Sequence, residues 1–141
     1  MAELYLFDGY NLLHAGPFLE VRELVDALAS FVAMRGARGI VVFDGVGEDA
    51  TRGPLEVRYA AHADALLERL AAEHRGREPV LLVTSDATLA AAAGSEVAKR
   101  SSQSFLRELE PARYRDERPG GLEGKLDEET RKRLERLRRG E

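Results

Sequence analysis

The chain has 141 residues with 44% hydrophobic and 33% charged side chains, values typical of one folded globular domain and not of a disordered chain. It contains no cysteine, which excludes disulfides and thiolate metal sites, and no apolar stretch approaches the roughly 18–20 residues that span a bilayer. The first residues carry no basic leader, so we expect a cytoplasmic protein without a membrane partner.

The net charge is −4, but the charges are unevenly distributed along the chain. Residues 1–98 carry 8 basic and 15 acidic side chains, whereas residues 99–141 carry 13 basic and 10 acidic ones. A negative body with a positive C-terminal part fits an enzyme that collects metal ions and holds a polyanion nearby. A solvated, charged tail explains the same distribution at least as well.

The predicted elements alternate between buried strands and amphipathic helices. Short apolar runs at residues 4–7, 40–43 and 80–83 are typical of parallel strands that are covered on both faces. Helical spacing of apolar residues predicts helices over 20–34 and 55–74, with a glycine-rich loop before the second helix. A short helix at about 87–93, a short strand at 97–98 and a helix over 102–110 follow.

The end of the chain is predicted to be a separate segment. Pro119, Gly120 and Gly121 indicate a linker, and residues 126–139 have the pattern of a basic amphipathic helix. We therefore expect a domain over residues 1–118 and a linker with a basic helix over 119–141. Because strands and helices alternate, the fold class is α/β with a mainly parallel central sheet.

An aspartate ends each of the three clear strands: Asp8, Asp44 and Asp86. Because ligands bind outside the carboxyl ends of parallel strands, we expect these carboxylates to converge. Crowded carboxylates raise each other's pKa unless a cation neutralises them, and oxygen-only ligands suit Mg²⁺ or Mn²⁺. Each aspartate alone is also a normal helix cap or Asx-turn residue, but three of three favours a metal cluster.

Other polar residues are candidates for the same site. Asn11, in the loop expected after the first strand, could orient a water, a phosphate or a carboxylate. Asp64 lies on the second long helix with Glu68 one turn later, and spacing alone leaves Asp64 undecided between the site and the solvent. Lys99 and Arg100 are candidate phosphate contacts, although solvated surface is the simpler interpretation. Ser85 is a further candidate substrate contact.

Four segments in order carry a resemblance to a known family. Residues 7–13, Phe-Asp-Gly-Tyr-Asn-Leu-Leu, resemble the opening of NYN domains, a branch of PIN-like nucleases, and residues 41–45 resemble their second acidic strand end. Residues 62–68 are similar to the Thr-Ala-Asp-x-x-Ile-Glu helix of the YacP-like group, with His62 in place of the threonine. Residues 83–86 match its Thr-Ser-Asp strand end.

The resemblance implies a three-layer α/β/α fold of the PIN-like type and a metal-dependent endoribonuclease. Asp8, Asp44, Asp64 and Asp86 would hold one or two Mg²⁺ or Mn²⁺ ions, Asn11 would position the pocket or the substrate, and a metal-activated water would attack the RNA. It further implies RNA as the partner, in particular mRNA at the ribosome. A non-catalytic RNA- or ribosome-binding module of the same fold is the alternative, and a receiver-like phosphoacceptor domain ranks lower because no lysine ends a clear later strand.

Overall fold

The computed structural model describes residues 2–117, which form six strands and five helices. In chain order these are β1 (Leu4–Asp8), α1 (Gly9–Ala15), α2 (Val21–Met34), β2 (Arg38–Asp44), β3 (Ala50–Arg52), β4 (Leu55–Ala60), α3 (Ala63–His74), β5 (Val80–Val83), α4 (Ala87–Ala92), β6 (Ala98–Arg100) and α5 (Ser102–Glu117). The sheet, helices α1 to α4 and the first part of α5 belong to the compact unit Met1–Glu108. No helix among the described residues is both long enough and apolar enough to cross a membrane.

A single six-stranded sheet organises the molecule, in the order β3-β4-β2-β1-β5-β6. All pairs are parallel except β3 with β4, which form an antiparallel hairpin at one edge. β1 lies between β2 and β5, the other two strongly apolar strands. The carboxyl ends of these three strands therefore meet at the centre of one edge of the sheet.

The two faces of the sheet are covered by different helices. Side chains at alternate positions of a strand point to opposite faces, so Leu4 and Leu6 face one side and Tyr5 and Phe7 the other. The first side packs against α3 and α4 in a core cluster with Ile40, Val42, Leu66, Leu67, Leu70, Val80, Leu82 and Leu89. On the second side, the rings of Tyr5 and Phe7 contact Phe31 of α2 and Phe105 of α5. The prediction of a three-layer α/β/α fold with a mainly parallel sheet is confirmed.

The predicted helix over 55–74 is wrong in its first third. Residues Leu55–Ala60 form β4, and the helix begins only at Ala63. Leu55 and Val57 are buried while Glu56 is exposed, which is strand alternation, and Gly53 turns the chain back from β3 with a φ of +59° that favours glycine. Leu55, Tyr59 and Ala63 happen to be spaced by four, so the helical pattern extended too far towards the N-terminus.

The chain after β1 is also helical rather than a loop. Helix α1 starts directly at Gly9, where a Cβ atom would lie 2.5 Å from the Phe43 ring and 2.8 Å from the Val42 carbonyl oxygen. Only glycine allows this close approach of α1 to β2. Asn11 therefore lies in the first turn of α1, and this helix fixes its position relative to Asp8.

The remaining predicted elements match the structure within a few residues at their ends. The helix predicted over 20–34 is α2, and the three apolar strands and the helix after Asp86 are all present. The weak strand predicted at 97–98 is β6. The helix predicted over 102–110 extends to Glu117. The predicted linker at 119–121 and the basic helix at 126–139 lie outside the described residues.

Candidate functional site

Asp8 is at the centre of the carboxyl edge of the sheet. It is the last residue of β1, and strand alternation places its side chain on the α3 side, in line with Leu4 and Leu6. It is half-buried, and its Oδ2 accepts a hydrogen bond of 2.8 Å from the hydroxyl of the buried Thr84. The backbone N–H of Asn11 donates to the same carboxylate. Both neighbours hold Asp8 in place: Thr84 directly follows β5 and Asn11 is in α1.

The electrostatic environment of Asp8 disfavours its charge. Burial raises the pKa of Asp8 above the ordinary value of 3.8, and the nearby carboxylates of Asp86 and Asp64 raise the pKa further. The hydrogen bonds from Thr84 and from the Asn11 N–H act in the opposite direction but do not cancel this effect. Asp8, Asp64 and Asp86 therefore form one cluster of interacting negative charges, which we call the acid cluster.

Asp86 contributes to this cluster while it also caps a helix. Its Oδ1 accepts hydrogen bonds from the backbone N–H groups of Thr88 at 2.9 Å and of Leu89 at 3.3 Å, at the start of α4. Its own N–H donates to the Thr84 hydroxyl at 3.0 Å, so Thr84 links Asp86 to Asp8. The capping role that is common for aspartate after a strand is thus present. The charge of Asp86 nevertheless acts on Asp8.

Asp44 and Asp64 are brought together at the start of α3. Asp44 ends β2, and its Oδ1 accepts a hydrogen bond of 3.1 Å from the N–H of Ala63, the first residue of the helix. Asp64 is the next residue and is exposed. Asp8 is paired in register with Val42, so Asp44 lies two residues farther out along β2. Asp44 is not among the charges that raise the pKa of Asp8, and its contact fixes the end of the helix that carries Asp64.

The acid cluster offers oxygen ligands but not a closed metal cage. Among residues 2–117, no set of three acidic or histidine side chains is close enough to hold a metal ion. The donor chemistry does fit Mg²⁺ or Mn²⁺, because the groups are carboxylates and because a cation would relieve the repulsion that raises the pKa of Asp8. Mg²⁺ normally keeps several waters and contacts only one or two carboxylates. An incomplete protein cage is therefore compatible with these ions.

A network of neutral polar side chains adjoins the acid cluster. Oδ1 of Asn11 accepts hydrogen bonds from the Ser85 N–H at 3.0 Å and from the Ser102 hydroxyl. The Ser85 hydroxyl accepts from the Ser102 N–H at 3.0 Å and donates to Oε1 of Gln103 at 2.7 Å. This network ties α1, the end of β5 and the start of α5 together. Sequence reasoning placed Asn11 and Ser85 at the site but missed Thr84, Ser102 and Gln103.

The predicted phosphate contacts are engaged with protein groups. Nζ of Lys99 donates to the carbonyl oxygen of Gly94, and Arg100 forms an ion pair with Glu108. Glu108 also pairs with Arg35 at 2.8 Å, and all three residues line a cavity with Tyr5, on the face covered by α2. Arg100 thus points to the face of the sheet opposite to the acid cluster. Glu68, one turn after Asp64, is exposed.

Comparisons with known proteins place the chain in a family. The model of the family described as the YacP-like NYN domain matches residues 5–139. The crystal structure of Rae1 (YacP) from Bacillus subtilis is 32% identical, with a TM-score of 0.68 over 97% of this chain and 95% of that one. The structure of a point mutant of Rae1 is 31% identical, with a TM-score of 0.65 over 80% of this chain and 78% of that one.

The search of curated proteins found no match. The family match and the two solved structures extend over most of the chain, at identities above 30%. The four sequence segments that resemble this group lie at the ends of β1, β2 and β5 and at the start of α3, around the acid cluster. The chain therefore belongs to the YacP-like NYN domain family and has its nuclease-type, RNA-related fold.

Proposed function

We propose that this protein is a metal-dependent endoribonuclease that hydrolyses RNA phosphodiester bonds at the acid cluster. The observation that carries the proposal is the half-buried Asp8, whose pKa is raised by burial and by two further carboxylates at the carboxyl edge of a parallel sheet. A carboxylate with a perturbed pKa at such an edge is typical of functional sites. Membership in a family of nuclease-type, RNA-related proteins supports the same reaction class.

Asp8, Asp86 and Asp64 would hold a Mg²⁺ or Mn²⁺ ion, some directly and the others through the water molecules that complete its coordination. When bound, the ion would supply an activated water and would stabilise the charge that develops on the leaving oxygen. Asp44 would act less directly, because its carboxylate fastens the N-terminus of α3 beside Asp64. Mg²⁺ and Mn²⁺ are expected to substitute for one another because both prefer oxygen ligands.

The chain's own polar groups would orient the site. The Thr84 hydroxyl and the Asn11 N–H both donate to Asp8. These hydrogen bonds fix the orientation of its carboxylate before any ion or substrate arrives. The Asn11 side chain is held in turn by Ser85 and Ser102. Such preorganisation reduces the rearrangement that is needed during reaction. Ser85 stays a candidate on the substrate side of the site, whereas Lys99 and Arg100 would contact RNA only after leaving Gly94 and Glu108.

The proposed biological setting is RNA turnover in the cytoplasm, with mRNA at the ribosome as the substrate. Two observations support it: the excess of basic side chains in residues 99–141, and the family match, which extends to residue 139. A basic segment next to a negatively charged body would hold the RNA backbone while the acid cluster cuts it.

One feature of the site favours a second function, a binding module of the same fold without catalysis. Asp86 caps α4 and Asp44 accepts a hydrogen bond from the first residue of α3, so two of the four predicted aspartates have a structural role. A module of this kind would bind RNA or ribosomes, and its binding would survive the loss of Asp8.

The test is cleavage of a labelled, unstructured RNA by the pure protein with Mn²⁺, Mg²⁺ or EDTA. Asp8→Asn is compared with Asp26→Asn, an exposed aspartate on α2 that pairs with Arg52. The proposal predicts metal-dependent cutting by the wild type and by Asp26→Asn, and none by Asp8→Asn. If no metal supports cutting but RNA binding is intact in all three proteins, the binding module is correct and the nuclease is not.

A further inference from the structure

The only asparagine and the only glutamine of the chain meet in one hydrogen-bond network. Asn11 is on α1 and Gln103 is on α5, far apart in sequence. Ser85 connects them, because its N–H donates to Oδ1 of Asn11 at 3.0 Å and its hydroxyl donates to Oε1 of Gln103 at 2.7 Å. In a chain with two carboxamide side chains among 141 residues, their meeting beside the acid cluster indicates a shared task.

The network is attached directly to the acid cluster. The backbone N–H of Asn11 donates to Asp8, and Ser85 is the residue before Asp86. Gln103 is thus connected to Asp8 through only two intervening residues. Its side chain is exposed, so it lies at the rim where a substrate would approach.

The hydrogen bonds also fix which end of the Gln103 carboxamide is available. The Ser85 hydroxyl oxygen already accepts a hydrogen bond from the Ser102 N–H at 3.0 Å, so its proton is directed to Oε1 of Gln103. Among the side chains of residues 2–109, none accepts a hydrogen bond from Nε2 of Gln103. The side chain therefore presents two N–H donors, while its Oε1 is directed towards Ser85.

Hydrogen-bond donors beside the acid cluster can help to bind RNA. RNA is a polyanion, and the three carboxylates of the acid cluster repel it unless donors at the rim compensate. Of the nearby cations, Lys99 and Arg100 are engaged with Gly94 and Glu108, and Arg107 donates to the Ser104 hydroxyl. Because Oε1 is held by the Ser85 hydroxyl, Nε2 is the end of the Gln103 carboxamide that is free to donate to a substrate. A phosphate oxygen is the acceptor that fits.

We propose that Gln103 is a substrate-contacting residue, which donates from Nε2 to a phosphate oxygen of the RNA strand that is bound at the acid cluster. Ser85 is the positioning residue, which acts through Gln103 by holding its carboxamide oxygen. The inference rests on the proposed function, since it names a contact for the same substrate. A phosphate contact carries no sequence information, so the effect is the same for every RNA sequence.

The test measures the binding of a labelled, unstructured RNA by fluorescence anisotropy, once in EDTA and once with Ca²⁺. Gln103→Ala is expected to weaken binding about tenfold, the usual effect of losing a hydrogen bond to a charged acceptor. Gln103→Lys keeps a donor at the same place and restores binding, whereas Gln103→Glu repels the phosphate and binds most weakly. Ser30→Ala, at an exposed position of α2, is the neutral control and binds as the wild type does.

Ser85→Ala adds a check on the positioning role. It is expected to weaken binding less than Gln103→Ala does, and to have no further effect in the double variant, because both changes remove the same contact. Additive losses in the double variant would contradict a role of Ser85 through Gln103.

Three outcomes decide the inference. If the wild type binds RNA and Gln103→Ala binds equally well, the inference is overturned and the proposed nuclease stands. If Gln103→Ala binds weakly but melts at a lower temperature and Gln103→Lys does not recover binding, the role is structural and the inference is again overturned. If the wild type binds no RNA in either condition, the proposed function itself fails.

Discussion

At the two ends of the central sheet, the pKa values of the carboxyl groups are shifted in opposite directions. At the amino end, Glu78 just before β5 is paired with Arg38 at the start of β2 and with His74 at the end of α3. The hydrogen bond from Arg38 holds the pKa of Glu78 below its ordinary value, and the bond from His74 acts in the same direction. At the carboxyl end, burial and two carboxylates raise the pKa of Asp8.

The difference separates a structural charge from a functional one. Glu78 gains its partners from within the fold, so its negative charge stabilises the native state. Asp8 has hydrogen-bond donors but no cation among its partners, and its charge costs the fold stability. In the proposed function, a bound cation would relieve the cost of this carboxylate at the carboxyl edge of the sheet.

Among the variants compared below, Asp86→Asn is expected to have the largest effect on cleavage. It removes the charge of Asp86 and keeps its cap on α4. Asparagine caps a helix about as well as aspartate does, so Asp86→Asn should leave the melting temperature nearly unchanged. Its cleavage rate should fall by about 10²–10³-fold, because one of the three charges of the acid cluster is lost. Cleavage assays and thermal melts measure the two effects separately.

Asp86→Ala is the companion variant. It should lose the same activity and, in addition, about 1 kcal/mol of stability, because the N–H groups of Thr88 and Leu89 lose their acceptor. If Asp86→Asn cuts RNA at the wild-type rate, Asp86 is only a cap and does not belong to the site.

A smaller loss is expected for Asp44→Ala. Asp44 contacts the N–H of Ala63 and does not contribute to the raised pKa of Asp8, so it acts by placing the helix that carries Asp64. We expect about a tenfold slower cleavage, in the range for residues that orient a metal site from outside. Asp49→Ala, which removes the acceptor of the Tyr59 N–H at the nearby edge, is the control and should cut normally. A loss as large as that of Asp86→Asn would make Asp44 a direct ligand.

The carboxyl end can be probed without any substrate. Because the folded-state pKa of Asp8 is raised above its unfolded value, wild-type stability falls as the pH rises through that folded-state pKa. Asp8→Asn removes this cost, so in EDTA at pH 7 it should be more stable than the wild type, by about 0.5–2 kcal/mol. Denaturant melts between pH 4 and about 8 measure the difference, which should shrink towards low pH. A less stable Asp8→Asn would refute the account of Asp8.

At the amino end, Glu78→Gln should change the stability in the direction opposite to Asp8→Asn, and its effect should be the smallest. The folded-state pKa of Glu78 is lowered, so its stabilising contribution is present above the unfolded pKa and is lost as the pH falls through the folded pKa. Arg38 is largely exposed, so we expect Glu78→Gln to lose only about 0.5–1 kcal/mol at pH 7. Its cleavage activity should be unchanged. Reduced cleavage in Glu78→Gln would mean that the two ends of the sheet are not independent.

Much of this comparison could be predicted from sequence, because it depends on local signals. Apolar runs that end in aspartate predicted β1, β2 and β5 and the edge where the carboxylates meet. The roles that depend on contacts between distant segments were not predictable. Gln103 reaches Ser85 only because β6 pairs with β5 and places the start of α5 at that strand end.

Two errors have a common physical cause. Residues 55–60 were predicted as helix because a spacing of four connects Leu55, Tyr59 and Ala63, although the strand is fixed by pairing with β2 and β3. Asn11 was predicted in a loop after the first strand, although packing of Gly9 against Phe43 makes this segment the helix α1. In both segments tertiary contacts override a weak local pattern.

The most direct test of the central claim is calorimetric titration of Mn²⁺ into the wild type, Asp8→Asn and Glu78→Gln at pH 7. The account predicts that the wild type and Glu78→Gln bind Mn²⁺ with the same affinity and that Asp8→Asn binds at least about tenfold more weakly. If the wild type binds no Mn²⁺, or if Asp8→Asn binds it equally well, the carboxyl end of the sheet is not a cation site and the proposed nuclease mechanism is wrong.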